Sequence, residues 1–138
     1  MQDNKDIKIF LTDIERSISE IFDFLPEKRN FLEFQKDLKT RKAVERNIEI
    51  IGEAMSRILK IDPQFPIEAS RKIVDTRNRI IHGYDSVSED VLWLIIVNYL
   101  PNLEKQVKKL LEIFAGKLHL SDKEYEDFQI YLKNSRKE

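Results

Sequence analysis

The chain has 138 residues, of which 41% are hydrophobic and 36% are charged, and its formal net charge at pH 7 is −1. This length predicts one domain that is large enough to bury a core. The absence of cysteine excludes a disulfide framework, a thiolate metal site and a thiol nucleophile. Two distant histidines argue against a zinc site. The longest apolar run, 91–97, is far too short to cross a membrane, so we expect a cytoplasmic protein without a metal or other cofactor.

Amphipathic periodicity predicts two long helices in the first half of the chain, over about 3–25 and 38–60. A short helix over 31–37 should lie between them. Its two phenylalanines could stack on nucleobases, although core packing is the favoured interpretation. In the second long helix, Gly52 costs about 1 kcal/mol relative to alanine, so we expect it to permit the close approach of another helix.

The first half of the second long helix is basic, which makes Lys42 and Arg46 candidate contacts for the phosphates of a nucleic acid. The alternative is a solvated helix face on which these cations pair with carboxylates one turn away. The acidic partners available for that alternative are Glu45, Glu49 and Glu53. For any single residue the solvated face is the favoured interpretation, because exposed ion pairs are common and weak.

The third predicted helix, over 67–82, ends where the local charge changes sign. Residues 71–82 contain four basic residues and one acidic residue, whereas 83–104 contain four carboxylates and no lysine or arginine. His82 should be the last helical residue, because Gly83 follows at the position of a left-handed cap. A histidine at this position lies beside unpaired carbonyl groups, which favours its protonated form.

The same stretch brings four chemically useful side chains together: Arg77, Asn78, His82 and Tyr84. A fixed cation, an imidazole that titrates near neutral pH and a phenol suit chemistry on a phosphate ester. Arg77 and His82 are five residues apart, about 140° around a regular helix, so they should not face each other within one straight helix. Asn78 and His82 do share a face. Taken singly, Arg77 could be a surface ion pair and His82 a helix cap.

A fourth helix should begin with a capping box at Ser86, and its stretch 91–97 is apolar on every side. A helix of this kind is buried on more than one face, which in so small a bundle predicts a homodimer. Pro101 lies inside the continuing pattern and should kink the helix rather than end it. We expect residues 1–116 to form the main helical domain and 117–138 a C-terminal helical extension of it.

The stretch around Arg77 resembles the Arg-x4-His-x-Tyr motif of HEPN-domain toxins of the HepT type. The resemblance extends upstream to 41–54, which is similar to the long second-half helix of that family, and it covers roughly 5–115. Together with the helical patterns, it predicts an all-α, up-and-down bundle of four to five helices that forms a homodimer. The family builds one cleft from two subunits, which agrees with the separation of Arg77 and His82 around the helix.

The resemblance implies a metal-independent RNA endonuclease that is the toxin of a type II toxin–antitoxin pair. The implied partner is a nucleotidyltransferase antitoxin of the MntA type, which would transfer AMP to the toxin. The implied site comprises the catalytic residues Arg77, Asn78 and His82, the AMP acceptor Tyr84, and the candidate RNA contacts Arg79, Arg46 and Lys42. The alternative is a non-catalytic helical module that binds a nucleotidyltransferase or a nucleotide, for which the arginine and the histidine would be dispensable.

Overall fold

The computed structural model describes residues 2–67, 70–82 and 88–114, with side chains for all of these except 70 and 79–82. The regular structure in this part of the chain is entirely helical, so the predicted all-α class is confirmed. The helices are α1 (Gln2–Phe24), α2 (Phe31–Lys36), α3 (Leu38–Ile61), α4 (Ser70–His82), α5 (Glu89–Leu94) and α6 (Leu100–Phe114). No helix within the described ranges is both long and apolar enough to cross a membrane.

The core lies where α1 and α3 pack along each other, and α6 covers a further side of α1. On each of these helices the buried side chains recur at intervals of three or four residues, which places them on one face. They include Ile7, Leu11, Ile14, Ile18 and Ile21 on α1, Val44, Ile48, Ile51, Met55 and Ile58 on α3, and Leu100, Leu103, Val107 and Leu110 on α6. Burial of each large apolar side chain contributes about 1.5–3 kcal/mol, so these stripes are a major source of the stability of the bundle.

The short helix α2 is part of the core rather than an exposed aromatic platform. The side-chain oxygen of Asn30 caps it by accepting a hydrogen bond from the backbone N–H of Glu33 at 3.2 Å. The ring of Phe34 is buried, and those of Phe31 and Phe34 lie 5.8 and 5.2 Å from the ring of Trp93. Core packing, the favoured interpretation of these phenylalanines, is therefore confirmed.

The start of α4 differs from the sequence prediction. Ile67 was expected to open this helix, but it lies in the preceding loop, where it is buried and donates its backbone N–H to the carbonyl of Phe65 at 2.9 Å. Phe65 in turn donates to the carbonyl of Asp62 at 3.0 Å. Both apolar side chains are buried against the bundle, so Ile67 belongs to the loop rather than to α4.

The start of α5 also differs. Its N-cap is Ser88, whose hydroxyl accepts a hydrogen bond from the backbone N–H of Val91 at 3.4 Å, so the predicted capping box is two residues too early. Ser86 itself lies outside the described residues. Glu89, expected as the last residue of that box, instead accepts a hydrogen bond from Arg41 at 2.7 Å and ties the beginning of α5 to α3. Because α5 begins at Glu89, this residue cannot be the third helical residue that the predicted box requires.

The helix continues through Pro101, as predicted, by way of a π-helical segment, Ile95–Tyr99, between α5 and α6. At its end the N–H of Leu100 donates to the carbonyl of Ile95, five residues back. Within the apolar stretch 91–97 one face is buried, while Leu94 and Val97 are 39% and 46% exposed. The homodimer stays a prediction.

The expected division into a main domain and a C-terminal extension is not tested by the structure. Residues 117–138 lie outside the described part of the chain, as does residue 116, where the main domain was expected to end. The description of α6 stops at Phe114.

Candidate active site

The site begins with a glycine that lets two helices meet. A methyl group placed on Gly52 of α3 would overlap the Cβ atom of Arg77 on α4. It would also lie 2.8 Å from the Cγ atom of Arg77 and 3.1 Å from the carbonyl oxygen of Ile73. Only a residue without a side chain allows α4 to approach this closely. The role predicted for Gly52 is therefore confirmed, and the residue that uses the space is Arg77.

The guanidinium of Arg77 is fixed at both of its terminal nitrogens. Nη2 forms an ion pair with Glu53 of α3, and Nη1 donates a hydrogen bond of 2.8 Å to the side-chain oxygen of Asn78. The Arg77 side chain is 23% exposed, so this is a partly buried link between two helices rather than a surface ion pair. Its Nε atom is buried and has no hydrogen-bond partner among the described residues.

Glu53 joins two arginines. Its second oxygen accepts a hydrogen bond of 3.0 Å from Nε of Arg57, one helical turn further along α3. That hydrogen bond and the positive charges of Arg77, Arg57 and Lys60 hold the pKa of Glu53 below its ordinary value, against a smaller opposing effect of burial. Glu53 is thus an anion at neutral pH and keeps both guanidinium groups in place.

Arg77 forms one wall of an open cleft of about 450 Å³, within the size range of small-molecule sites. The cleft is lined by Phe10 and Asp13 of α1, by Arg46, Glu49, Ile50, Glu53, Ala54 and Arg57 of α3, and by Arg77 of α4. Three arginines and three carboxylates face it, so the local charge is balanced although the groups are strongly polar.

The residues predicted from the sequence are only partly brought together. Arg77 and Asn78 are in contact, although the oxygen of Asn78 is used by the arginine. His82 is the last residue described on α4, and its side chain and that of Arg79 lie outside the described set. Tyr84 lies in the segment 83–87, which the structure does not describe. Their predicted roles are not tested.

The two basic candidates on α3 are separated by the structure. Arg46 lines the cleft and pairs with Glu49 at 3.1 Å. Lys42 is not part of the cleft wall; it is mostly exposed and pairs with Glu45 at 3.8 Å. Both pairs agree with the alternative interpretation, a solvated helix face on which cations pair with carboxylates one turn away. Arg46 also remains a candidate RNA contact, because it lines the cleft.

Sequence reasoning missed the contributions of Glu53, Arg57, Phe10 and Asp13. The sequence predicts Glu53 only as a partner for cations on its own helix. One signal for its pairing with another helix is that it directly follows Gly52, where another helix was expected to cross. The other three residues carry no motif. Among the described residues, no group of three or more His, Asp or Glu side chains is placed to hold a metal ion.

The geometry thus defines a helical protein with a polar cleft beside a fixed arginine. The family model described as Ribonuclease HepT-like matches residues 14–110, and the chain belongs to this family of HepT-like ribonucleases. The predicted family and the predicted enzyme class, a ribonuclease, are confirmed. Membership also implies RNA as the substrate class.

Similar proteins come from archaea and bacteria. A protein of Methanocaldococcus jannaschii named "Putative RNase" is 34% identical over 116 residues, which cover 81% of this chain and 93% of the relative. A "Probable ribonuclease HepT" of Thermococcus cleftensis is 36% identical over 107 residues, 75% of this chain and 94% of the relative. A "Putative RNase" of Caldanaerobacter subterraneus is 36% identical over 87 residues, 60% of this chain and 75% of the relative. No solved structure matches the chain.

Proposed function

We propose that this chain is a metal-independent RNA endonuclease and the toxin of a toxin–antitoxin pair. The observation that carries the proposal is the guanidinium of Arg77, which Glu53 and Asn78 hold at the wall of an open cleft. It precedes His82 by five residues, the spacing of the motif through which the sequence resembles HepT-type toxins. A fixed cation beside a general acid–base is the arrangement that phosphodiester cleavage needs.

The proposed reaction uses the nucleophile that RNA itself carries. The ribose 2′-oxygen attacks the adjacent phosphorus, the new O2′–P bond forms and the P–O5′ bond breaks. The products are a 2′,3′-cyclic phosphate and a free 5′-hydroxyl. His82 moves a proton in this reaction, either from the attacking hydroxyl as a base or to the leaving oxygen as an acid.

Arg77 stabilises the charge that develops on the non-bridging phosphate oxygens, and its planar fork can bind two of them at once. A phosphate has to replace one of the two acceptors that hold the fork. The neutral amide of Asn78 is easier to displace than the carboxylate of Glu53, because a hydrogen bond between two charged groups is the stronger one. We therefore expect Glu53 to keep Arg77 oriented while the Asn78 side gives way to RNA.

We further propose that a second copy of the chain completes the cleft. Arg77 and His82 are about 140° apart around an ideal helix, which favours a histidine and an arginine from different subunits acting together. The exposed apolar side chains of Leu94 and Val97 offer a seam for the second copy. Leu94→Glu should give monomers with reduced ribonuclease activity, as measured by light scattering and RNA cleavage. A folded, monomeric and fully active variant would contradict the shared cleft.

The central experiment measures cleavage of RNA by the pure protein in the presence of a chelator. Arg77→Ala should lower kcat/KM by about 10²–10³-fold, and His82→Ala by about 10²–10⁴-fold. Arg71→Ala is the matched control, because Arg71 is exposed on the same helix and lies outside the cleft. End analysis should find cyclic phosphates.

Three results would count against the ribonuclease proposal. They are RNA left intact by the wild type, cleavage that stops when the metal is removed, and equal cleavage by His82→Ala. Intact RNA together with tight binding of a nucleotidyltransferase that survives Arg77→Ala would favour the alternative of a non-catalytic binding module.

The proposed control point is Tyr84, two residues after His82 in the sequence. Its phenol oxygen would attack the α-phosphorus of ATP on the antitoxin, with pyrophosphate leaving and the phenol proton passing to a base of the antitoxin. The attached AMP would add a negative phosphate and a bulky nucleoside next to the motif. The phosphate would compete with RNA for Arg77, and the enzyme would be switched off without unfolding.

Incubation with the nucleotidyltransferase, ATP and Mg²⁺, followed by peptide mass spectrometry, tests this step. We expect one AMP group on Tyr84 and loss of RNA cleavage. Tyr84→Phe should remain active and unmodified, whereas Tyr99→Phe should behave like the wild type. Modification at another residue, or full neutralisation of Tyr84→Phe, would rule out this control point.

A further inference from the structure

The cleft contains a carboxylate that the bundle itself does not use. Glu49 pairs with Arg46, and Glu53 pairs with Arg57 and Arg77. Asp13, the third carboxylate of the wall, forms no ion pair or hydrogen bond with any other described residue, although it is partly buried. A half-buried carboxylate with two free acceptor oxygens is suited to bind a donor from outside the protein.

An aromatic ring lies beside this carboxylate. Phe10 precedes Asp13 by three residues, so the two side chains share one face of α1 and both line the cleft. The guanidinium of Arg57 lies over the ring of Phe10, 5.9 Å from its centroid, and the Arg57 side chain is 56% exposed. Phe10 and Arg57 thus form the two sides of a slot that is closed in this structure, because the guanidinium covers the ring. Glu53 holds Arg57 through its Nε atom alone, so the exposed end of the guanidinium has to swing off the ring to admit a planar group.

The slot and Arg77 belong to one cleft, with Glu53 joining the two arginines. A single nucleotide has the same layout, with a phosphate at one end and a flat base at the other. Because three arginines balance three carboxylates, the cleft carries no excess positive charge for a second phosphate. The slot therefore fits the uncharged base of a nucleotide whose phosphate lies at Arg77.

We propose that this cleft is a base-binding subsite and that it selects guanine next to the cleaved bond. The proposal rests on the ribonuclease function proposed above and adds a sequence preference to it. The base stacks between Phe10 and Arg57, as unpaired RNA bases do on aromatic and guanidinium planes. Asp13 accepts hydrogen bonds from the Watson–Crick edge, where guanine alone among the four bases presents two adjacent donors, N1–H and the N2 amino group.

Cleavage of an RNA pool with random sequence, followed by sequencing of the ends, tests the preference. Guanine should be enriched at one position flanking the cut, by about five- to a hundredfold over adenine. In Asp13→Asn this ratio should fall to near one. Glu20→Gln is the matched control, because Glu20 is an exposed carboxylate of the same helix away from the cleft, and it should keep the wild-type ratio.

The subsite can be tested without catalysis by measuring, through fluorescence anisotropy, the binding of 2′-deoxy oligonucleotides, which cannot be cleaved. Replacing the preferred guanine by inosine, which lacks the N2 amino group, should weaken binding to the wild type but not to Asp13→Asn. Phe10→Leu keeps an apolar side chain but removes the ring, so it should weaken binding about tenfold whichever base is present.

The two proposals fail in different ways. A wild type that cuts RNA without a base preference, or one whose preference survives Asp13→Asn, overturns the subsite and leaves the ribonuclease intact. A wild type that cuts no RNA overturns the ribonuclease. In that case, equal binding of guanine and inosine oligonucleotides overturns the subsite as well, whereas discrimination that depends on Asp13 supports it.

Discussion

The two sides of α3 have different functions, one in core packing and one in the candidate site. The side that faces α1 is a continuous apolar stripe, and its central members, such as Ile48 and Ile51, are completely buried. The side that faces α4 has a glycine at the closest approach and an ion pair beside it, between Glu53 and Arg77. Three consecutive residues, Ile51, Gly52 and Glu53, therefore fill the core, leave space and supply charge. The comparison shows that one helix can be scaffold and site at once when its faces are kept distinct.

The apolar side should dominate the stability. Ile51→Ala should lower the free energy of unfolding by about 2–5 kcal/mol, because it leaves a cavity between α1 and α3. Urea unfolding followed by circular dichroism measures the loss. Leu32→Ala is the control, since Leu32 is 63% exposed and its truncation should change stability by less than about 0.5 kcal/mol. Equal effects of the two changes would break the distinction between the two sides.

The close contact between α3 and α4 at Gly52 should determine where Arg77 lies in the site. Gly52→Ala gains about 1 kcal/mol of helix propensity but forces Arg77 and α4 away, which costs about 1–3 kcal/mol. We expect a small net change in stability and a loss of RNA cleavage, measured on the same sample. Ser56→Ala, on the same helix without this contact, should keep full activity. An active Gly52→Ala protein would show that the close approach is not needed for function.

The ion pair should matter more for activity than for folding. Glu53→Gln should lower the free energy of unfolding by less than about 1 kcal/mol, because the Glu53 side chain is 39% exposed and solvent screens part of its attraction to Arg77. RNA cleavage should fall about tenfold, since Arg77 loses the charge that orients it. Glu45→Gln, which breaks a pair with Lys42 outside the cleft, is the control. If both variants cleave RNA equally well, Glu53 has no positioning role.

The pH dependence sharpens the same test. Because the folded state lowers the pKa of Glu53, this residue contributes stability above the ordinary pKa range of a glutamate and loses that contribution as the pH falls through the lowered pKa. The stability difference between the wild type and Glu53→Gln should therefore be constant near neutral pH and vanish in acid. Urea titrations at a series of pH values measure it, and a difference that grows in acid would contradict the assignment.

Sequence periodicity predicted the apolar side of α3 well and the polar side poorly. The stripe through Ile48 and Ile51 follows directly from helical spacing, and Gly52 stood out because glycine is costly inside a helix. The ion pair between Glu53 and Arg77 depends on which helices pack together and on where along their axes they cross. That information is spread over the whole chain. Local partners one turn away on the same helix were the natural candidates when the sequence was considered alone.

The cleft and the helix starts were missed for related reasons. Phe10 and Asp13 follow the ordinary pattern of a surface helix, and they become a site only when α3 brings Arg57 over the ring. Ile67 fits the apolar pattern of the predicted helix but is buried in the loop before α4. The N-cap of α5 is Ser88 rather than Ser86. Tertiary contacts thus decide the role of Phe10, Asp13 and Ile67, whereas Ser86 and Ser88 were local caps between which the sequence pattern did not distinguish.

The π-helical segment Ile95–Tyr99 acts as a register shift along what is otherwise a single rod. A turn closed five residues back contains one residue more than an α-helical turn, and one residue corresponds to about 100° of rotation. The apolar stripe of α6 is thereby rotated relative to that of α5. The first part of the rod packs against α2 and α3, and the second part packs against α1. A single inserted residue thus lets one continuous helix close two different sides of the bundle.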